Sequence, residues 1–195
     1  MAPNRFRGSG RNEVVAERSL APGEWAVLAL ISERPSHGWA VATQLGPSGE
    51  LGSVWSLGRP LVYRSIDILV ERGLVEPAGH EPGLRGPNRT IYRTTCAGAT
   101  ALVQWLEEPV EHVRDVRSLL LLKLIFAERT GIDPTAMLEA QHATIRAAVS
   151  ALEARMRPSI GTEAILLRFR LESTRAVLRF VDGLLDDTPG LEAAV

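Results

Sequence analysis

Residues 55–75 read WSLGRPLVYRSIDILVERGLV, and this stretch decides the fold. Pro60 suits the first turn of a helix, where its missing N–H loses no partner. Val62, Ile66, Leu69 and Val70 then recur at helical spacing as one inward stripe. Gly73 follows Arg72 as a C-terminal cap, so the spacing predicts a helix from about Pro60 to Arg72. The opposite face carries Arg64, Asp67 and Glu71, with Tyr63 on its flank. An arginine there can fork onto guanine O6 and N7, and a tyrosine hydroxyl can reach a phosphate. Asp67 opposes phosphate unless it accepts from cytosine N4 or pairs with Arg64. Arg59 and the helix N-terminal amides are natural phosphate anchors.

Upstream, Pro22 opens a helix carrying Trp25, Leu28, Ala29 and Ile31, and Pro35 ends that region. Ser36 is placed to cap a short second helix with Val41 and Leu45 inward and Gly46-Pro47 as its stop. Downstream the period changes. Leu74–Glu76 and Thr90–Arg93 read as two short strands, separated by the loop PAGHEPGLRGPN. That loop offers Arg85, Asn88 and Arg89 to phosphate or to a narrow minor groove. Thr95 caps a fourth helix with Leu102, Val103 and Leu106 on one face, closed by Pro109. Three helices followed by a two-stranded ribbon give the order of a winged helix-turn-helix, expected over residues 20–109. His37, at the start of the second helix, is a backbone contact or a structural histidine, and the latter is favoured.

The chain beyond Pro109 is mainly helical and leucine-rich. Residues 119–126 are apolar nearly all round, which predicts a helix enclosed by others. A further helix starts at Asp133-Pro134. In it Leu138, Ile145 and Leu152 recur every seven residues, with His142, Val149 and Met156 in the second seam position. The last helix carries Leu167, Leu171, Leu178, Val181 and Leu185, widened by Phe169, Val177, Phe180 and Leu184. Faces this wide suit either an internal antiparallel pair or a second subunit. The expectation adopted is a homodimer through residues 110–195, using Leu138, Ile145, Val149, Leu152, Leu178, Val181 and Leu185. Residues 1–19 are expected to form a flexible arm.

Composition narrows the function classes. A chain of 195 residues, 45% hydrophobic and 23% charged, can bury a core, which excludes a disordered reading. The single cysteine, Cys96, excludes an internal disulfide framework and a Cys-rich zinc site, and it is expected as a small, partly buried thiol. The longest apolar run, Trp25–Ile31, falls far short of the roughly 20 residues a bilayer needs. No secretory signal is evident at the start, so a cytoplasmic protein without a membrane partner is expected.

Phosphate-binding GxxxxGK, HExxH and GxSxG patterns are missing, and His37, His80, His112 and His142 are dispersed. No catalytic residue, metal ligand or cofactor is expected. The net charge is −1, but its placement is uneven: no acid stands between Glu50 and Asp67, nor between Glu81 and Glu107. Arginines 59, 64, 85, 89 and 93 occupy those intervals, which suits a localised polyanion footprint on a neutral chain.

These residues resemble one family. Pro35-Ser36-His37-Gly38-Trp39 is similar to the Pro-x-His-Gly-Tyr that opens the second helix of PadR-type transcriptional regulators. Trp55 to Leu69 resembles that family's recognition-helix segment, and Arg72-Gly73-Leu74-Val75 its entry into the wing. Tyr92, Thr95 and Gly98 match its Tyr-x-Leu-Thr-x-x-Gly exit, with Thr94 and Cys96 as departures. The family's Ser-Pro-Gly-Ser before the Val-Tyr pair is Gly58-Arg59-Pro60-Leu61 here, which replaces two hydroxyls by an arginine and a leucine.

The resemblance, over about residues 20–186, implies a mainly α fold with a helical C-terminal dimerisation domain. It also implies double-stranded DNA as partner, repression, and response to a small planar aromatic effector. Trp105 is the aromatic to watch for that ligand, with core packing as its plainer role. Two rivals stand beside a repressor: a winged-helix protein–protein adaptor, and a ligand-binding helical protein that binds no DNA.

Overall fold

The structure, a computed structural model, describes residues 19–82 and 88–191, apart from the side chains of 188–191. In chain order α1 (Pro22–Glu33), β1 (Ser36–His37), α2 (Gly38–Gln44) and α3 (Arg59–Glu71) precede β2 (Val75–Glu81), β3 (Arg89–Thr94) and α4 (Cys96–Glu107). These elements form a winged helix-turn-helix head.

Local chemistry explains most of their ends. Pro22 starts α1, and the Glu24 carboxylate accepts the Ala21 N–H at 2.7 Å. Ala26 to Ile31 are all buried, so α1 is the central helix of the head. In α3 the stripe Val62, Ile66 and Leu69 is buried, and the chain leaves through Gly73 at φ +68°. Thr95 caps α4: its hydroxyl accepts from the Gly98 N–H at 3.1 Å and donates to the Gly73 carbonyl at 2.7 Å. Leu102 and Leu106 face the core, whereas Val103 is exposed.

The sheet differs from the expected two-stranded ribbon. Its order is β1-β3-β2, all antiparallel, because Ser36 and His37 pair with Tyr92 and Ile91. Ser36 therefore belongs to a strand and does not cap α2. That role falls to His37, whose Nδ1 accepts the Ala40 N–H at 3.0 Å. Strand β2 also runs into the predicted loop. Pro77 pairs with Tyr92 and Gly79 with Ile91, which leaves Ala78 as the extra residue of a bulge. The irregularity accommodates a proline that cannot donate to the ladder.

After α4 come a short α5 (Val113–Asp115), a π-helical turn (Val116–Leu120), α6 (Leu121–Thr130), α7 (Thr135–Met156) and α8 (Gly161–Leu191). The single helix expected over 119–126 is thus broken at Leu120, where hydrogen bonding changes from π to α. Leu122 and Phe126 of α6 lie in the head's core, so that core extends past Pro109. A second core holds Val110, Val116, Leu120, Met137, Leu138, Ile145 and Val181, and Leu119 packs against both.

Helices α7 and α8 run antiparallel, tied by His142 to Asp182 at 3.1 Å and Arg175 to Glu153 at 2.7 Å. The seam residues proposed for a dimer are occupied within one chain. Leu138, Ile145, Val149 and Val181 are buried, and Leu152, Leu178 and Leu185 are half-buried. The heptad is real, but its facing helix is α8 of the same chain. The apolar side chains left exposed on α8 are Ile165 (71%), Leu166, Phe169 (72%) and Phe180.

Candidate nucleic-acid interface

The outer face of α3 presents what its periodicity requires. With Val62, Ser65, Ile66 and Leu69 inward, Tyr63, Arg64, Asp67 and Glu71 are left to solvent. Arg59, Arg64 and Asp67 have no ion-pair partner among the described residues, so the two arginines are available to an anion. Tyr63 is 44% exposed, with its ring resting against Gly38 at the start of α2. Arg64 also lines a shallow groove between α1 and α3, with Trp55, Leu57 and Leu61.

The start of α3 is a poorer phosphate anchor than expected. Pro60 has no N–H, and the N–H groups of Leu61 and Val62 both donate to the Gly58 carbonyl. The Arg59 guanidinium, exposed at the first position, is the group left for that task.

At the wing, Arg89 lies beside the start of α2. Its guanidinium carbon sits 5.1 Å from the Trp39 ring centroid, and one terminal nitrogen is 3.4 Å from His37 Nε2. The Glu81 carboxylate is 3.4 Å from the same nitrogen. Because Nδ1 of His37 accepts from Ala40, a neutral ring carries its proton on Nε2. Nε2–H then donates to Glu81, and Arg89 is held over the indole face of Trp39. His37 is therefore a structural residue that caps α2 and fastens the wing.

Asn88 is exposed beside Arg89. Arg85 lies outside the described residues, as do Arg5, Arg7 and Arg11. Arg93 pairs with Glu76 at 2.7 Å, and both side chains stay exposed. Trp39, 43% exposed between Arg89 and His37, is a contact candidate that sequence reasoning missed. An aromatic two residues after His37 was its only signal.

Other groups have structural roles. Trp105 is 6% exposed and stacks on Trp25, with centroids 5.0 Å apart and planes 10° apart. The Lys123 ammonium lies 4.6 Å from the same ring. Trp105 is thus a core residue with no vacant face for a planar ligand in this arrangement. Cys96 is exposed and free, contrary to the partly buried thiol expected. Among the described residues no cluster of three His, Cys, Asp or Glu is arranged to hold a metal ion, and no helix is long and apolar enough to cross a membrane.

Residues 27–104 match the Transcriptional regulator PadR-like family, so the head carries a PadR-like regulator domain. No curated protein sequence matches the chain. Among solved structures, Bacillus subtilis PadR in complex with operator DNA is 17% identical, covering 83% of this chain and 97% of its own, with TM-score 0.43. The same protein in complex with p-coumaric acid is 16% identical, covering 87% and 99%, with TM-score 0.41. The Vibrio cholerae virulence activator AphA is 23% identical, covering 87% and 99%, with TM-score 0.38.

Proposed function

We propose that this PadR-like regulator domain works in a homodimeric repressor that sets two recognition helices on one pseudo-palindromic operator. The observation that carries the reading is the face of α3, where Tyr63 and Arg64 are exposed and Arg64 is free of acidic partners. Arg64 is the base reader in this account. Arg59, Tyr63, Asn88, Arg89 and the wing's Arg85 contact phosphate or the minor groove, and His37 orients the wing. Half-sites lie about one helical turn, roughly 10 bp, apart or a multiple of it. Occupying such a site denies it to other proteins, which is the simplest route to repression.

Residues 20–109 act as the reading unit and 110–195 as the assembly unit, although the head's core borrows from α6. The second copy docks on the outer flank of α8. Ile165, Phe169, Ala176 and Phe180 fall on that flank by helical spacing, interrupted by Glu172, and three large apolar side chains exposed on one flank suit a partner surface. A planar aromatic effector at Trp105 enters only by displacing Trp25, which tryptophan fluorescence against a ligand panel reads directly. The protein works in the cytoplasm, where its DNA is.

Gel retardation of the duplex upstream of its own coding sequence, across a salt series, tests the reading. Tight binding that falls steeply with salt and exceeds binding to scrambled duplex supports it. Weak binding, equal on every duplex, favours a protein–protein adaptor, which the neutral charge balance of the first 110 residues would suit.

A further inference from the structure

We propose that Lys123 and Gln141 are positioning residues for DNA recognition: they clasp the segment leaving α4, set the angle between head and helical pair, and the buried Lys123 charge keeps that joint able to open. The proposal rests on the two-headed reading above, because an angle matters only when two heads must meet one duplex.

The clasped segment is residues 105–110, with Pro109 inside it. From α6, the Lys123 ammonium donates to the carbonyls of Trp105 and Glu108, the latter at 2.7 Å. These are carbonyls that the end of α4 leaves without helical partners. From α7, the fully buried Gln141 accepts the Val110 N–H at 2.6 Å and donates to the Val110 carbonyl at 3.0 Å. Two consecutive helices thus grip one backbone segment from side chains far apart in sequence. Apolar packing would tolerate several poses of α7 against the head, whereas directional bonds to named backbone groups select one. The π-helical turn 116–120 lies between the clasped segment and Lys123, and such turns inside helices are frequent at functional sites.

The grips differ in kind. Gln141 is neutral and both ends of its amide are satisfied. Lys123 is 3% exposed, and taking an ammonium out of water is unfavourable even with good acceptors. Burial pushes its pKa down to about 8, and the Glu108 carboxylate opposes that shift in part. Glu108, on the clasped segment, is the charged group whose field acts on it; the other faces are the Trp105 ring and, behind it, Trp25 of α1. In an opened joint Lys123 is hydrated and returns toward 10.5. Protonation therefore favours the open form, and raising the pH from 7 toward 10 tightens the clasp, because the neutral amine still donates to both carbonyls.

The test uses the full-length chain. With Trp39→Phe and Trp55→Phe in the background, Trp25 and Trp105 report the joint through acrylamide quenching. The expected result is quenching at least twofold stronger at pH 7 than at pH 9.5, while Lys123→Met is protected at both. With native tryptophans, duplexes carrying two half-sites at varied spacing supply the second readout. The wild type should discriminate spacing more sharply at pH 9 than at pH 7, whereas Lys123→Met and Gln141→Leu, each without its directional bonds, should discriminate poorly at both.

If Lys123→Met fails to fold, the parent's own pH titration and Gln141→Leu decide. Quenching independent of pH, or the same pH response in Lys123→Met, overturns the joint itself. Spacing-blind binding with quenching as expected overturns the two-headed reading, and the positioning role with it.

Discussion

Gly38 packs directly under Tyr63: a Cβ built on the glycine would lie 2.6 Å from Cε1 of the tyrosine ring. The start of α2 and the outer flank of α3 are therefore in contact at a position where only a hydrogen fits. The contact sets where the Tyr63 hydroxyl points. Gly38→Ala should push the half-exposed ring aside at a stability cost of about 1 kcal/mol or less, since the ring can swing into solvent. Operator affinity should fall as far as in Tyr63→Ala, and the double variant should be no worse than either alone. A thermodynamic cycle from fluorescence-anisotropy titrations measures this; additive losses would separate the two residues.

Arg64 and Arg59 should fail differently. Arg64→Ala is expected to cost about 1–3 kcal/mol on the specific site and to relax sequence preference. Arg59→Ala should weaken all duplexes alike and reduce the salt slope by about 1. Parallel titrations on specific and random duplex over a salt series distinguish them. Equal loss on both duplexes for Arg64→Ala would make it a phosphate contact.

Much of this site was legible because its rules are local. The stripe Val62, Ile66 and Leu69, the Thr95 cap and the Gly73 exit depend on spacing and residue type within one or two turns. What escaped depends on distant partners. Two residues, Ser36 and His37, become a strand only because Tyr92 and Ile91 lie alongside. Pro77 stays in β2 because a bulge absorbs it. The pairing of Trp39 with Arg89, and of Gln141 with Val110, spans loops that no periodicity connects. The heptad at Leu138, Ile145 and Val149 identified a helix seam but could not say which copy of the chain supplies the facing helix.

The two kinds of apolar residue on α7 and α8 should respond in opposite ways. Ile145→Ala, in the buried seam, should lower unfolding stability by about 2–5 kcal/mol. Phe169→Asp, on the exposed flank of α8, should leave the monomer's melting nearly unchanged but dissociate the dimer in sedimentation velocity. A dimer that survives Phe169→Asp places the subunit interface elsewhere.

Lys123 links stability to alkaline pH. Its folded pKa, about 8, is below its ordinary 10.5, so the unfolded chain binds the proton more tightly between those values. Stability should therefore rise as pH increases through that window, by up to about 3 kcal/mol. Urea unfolding at pH 7 and pH 10 measures the gain. Lys123→Met should lack this gain and be the more stable protein at pH 7, as buried charges replaced by apolar groups often are. A wild type that loses stability over the same window, by more than Lys123→Met does, would contradict the sign.

In the proposed function, two copies of this chain place paired recognition helices on one duplex. Footprinting of the region upstream of its own coding sequence, with the mass of the complex measured on the same duplex, tests it most directly. The expected result is two protomers per duplex and two protected segments centred about 10 bp apart, or a multiple of that, with the Arg64→Ala footprint spread over unrelated sequence. A single protomer bound, or protection with no preferred sequence that Arg64→Ala leaves unaltered, would contradict it.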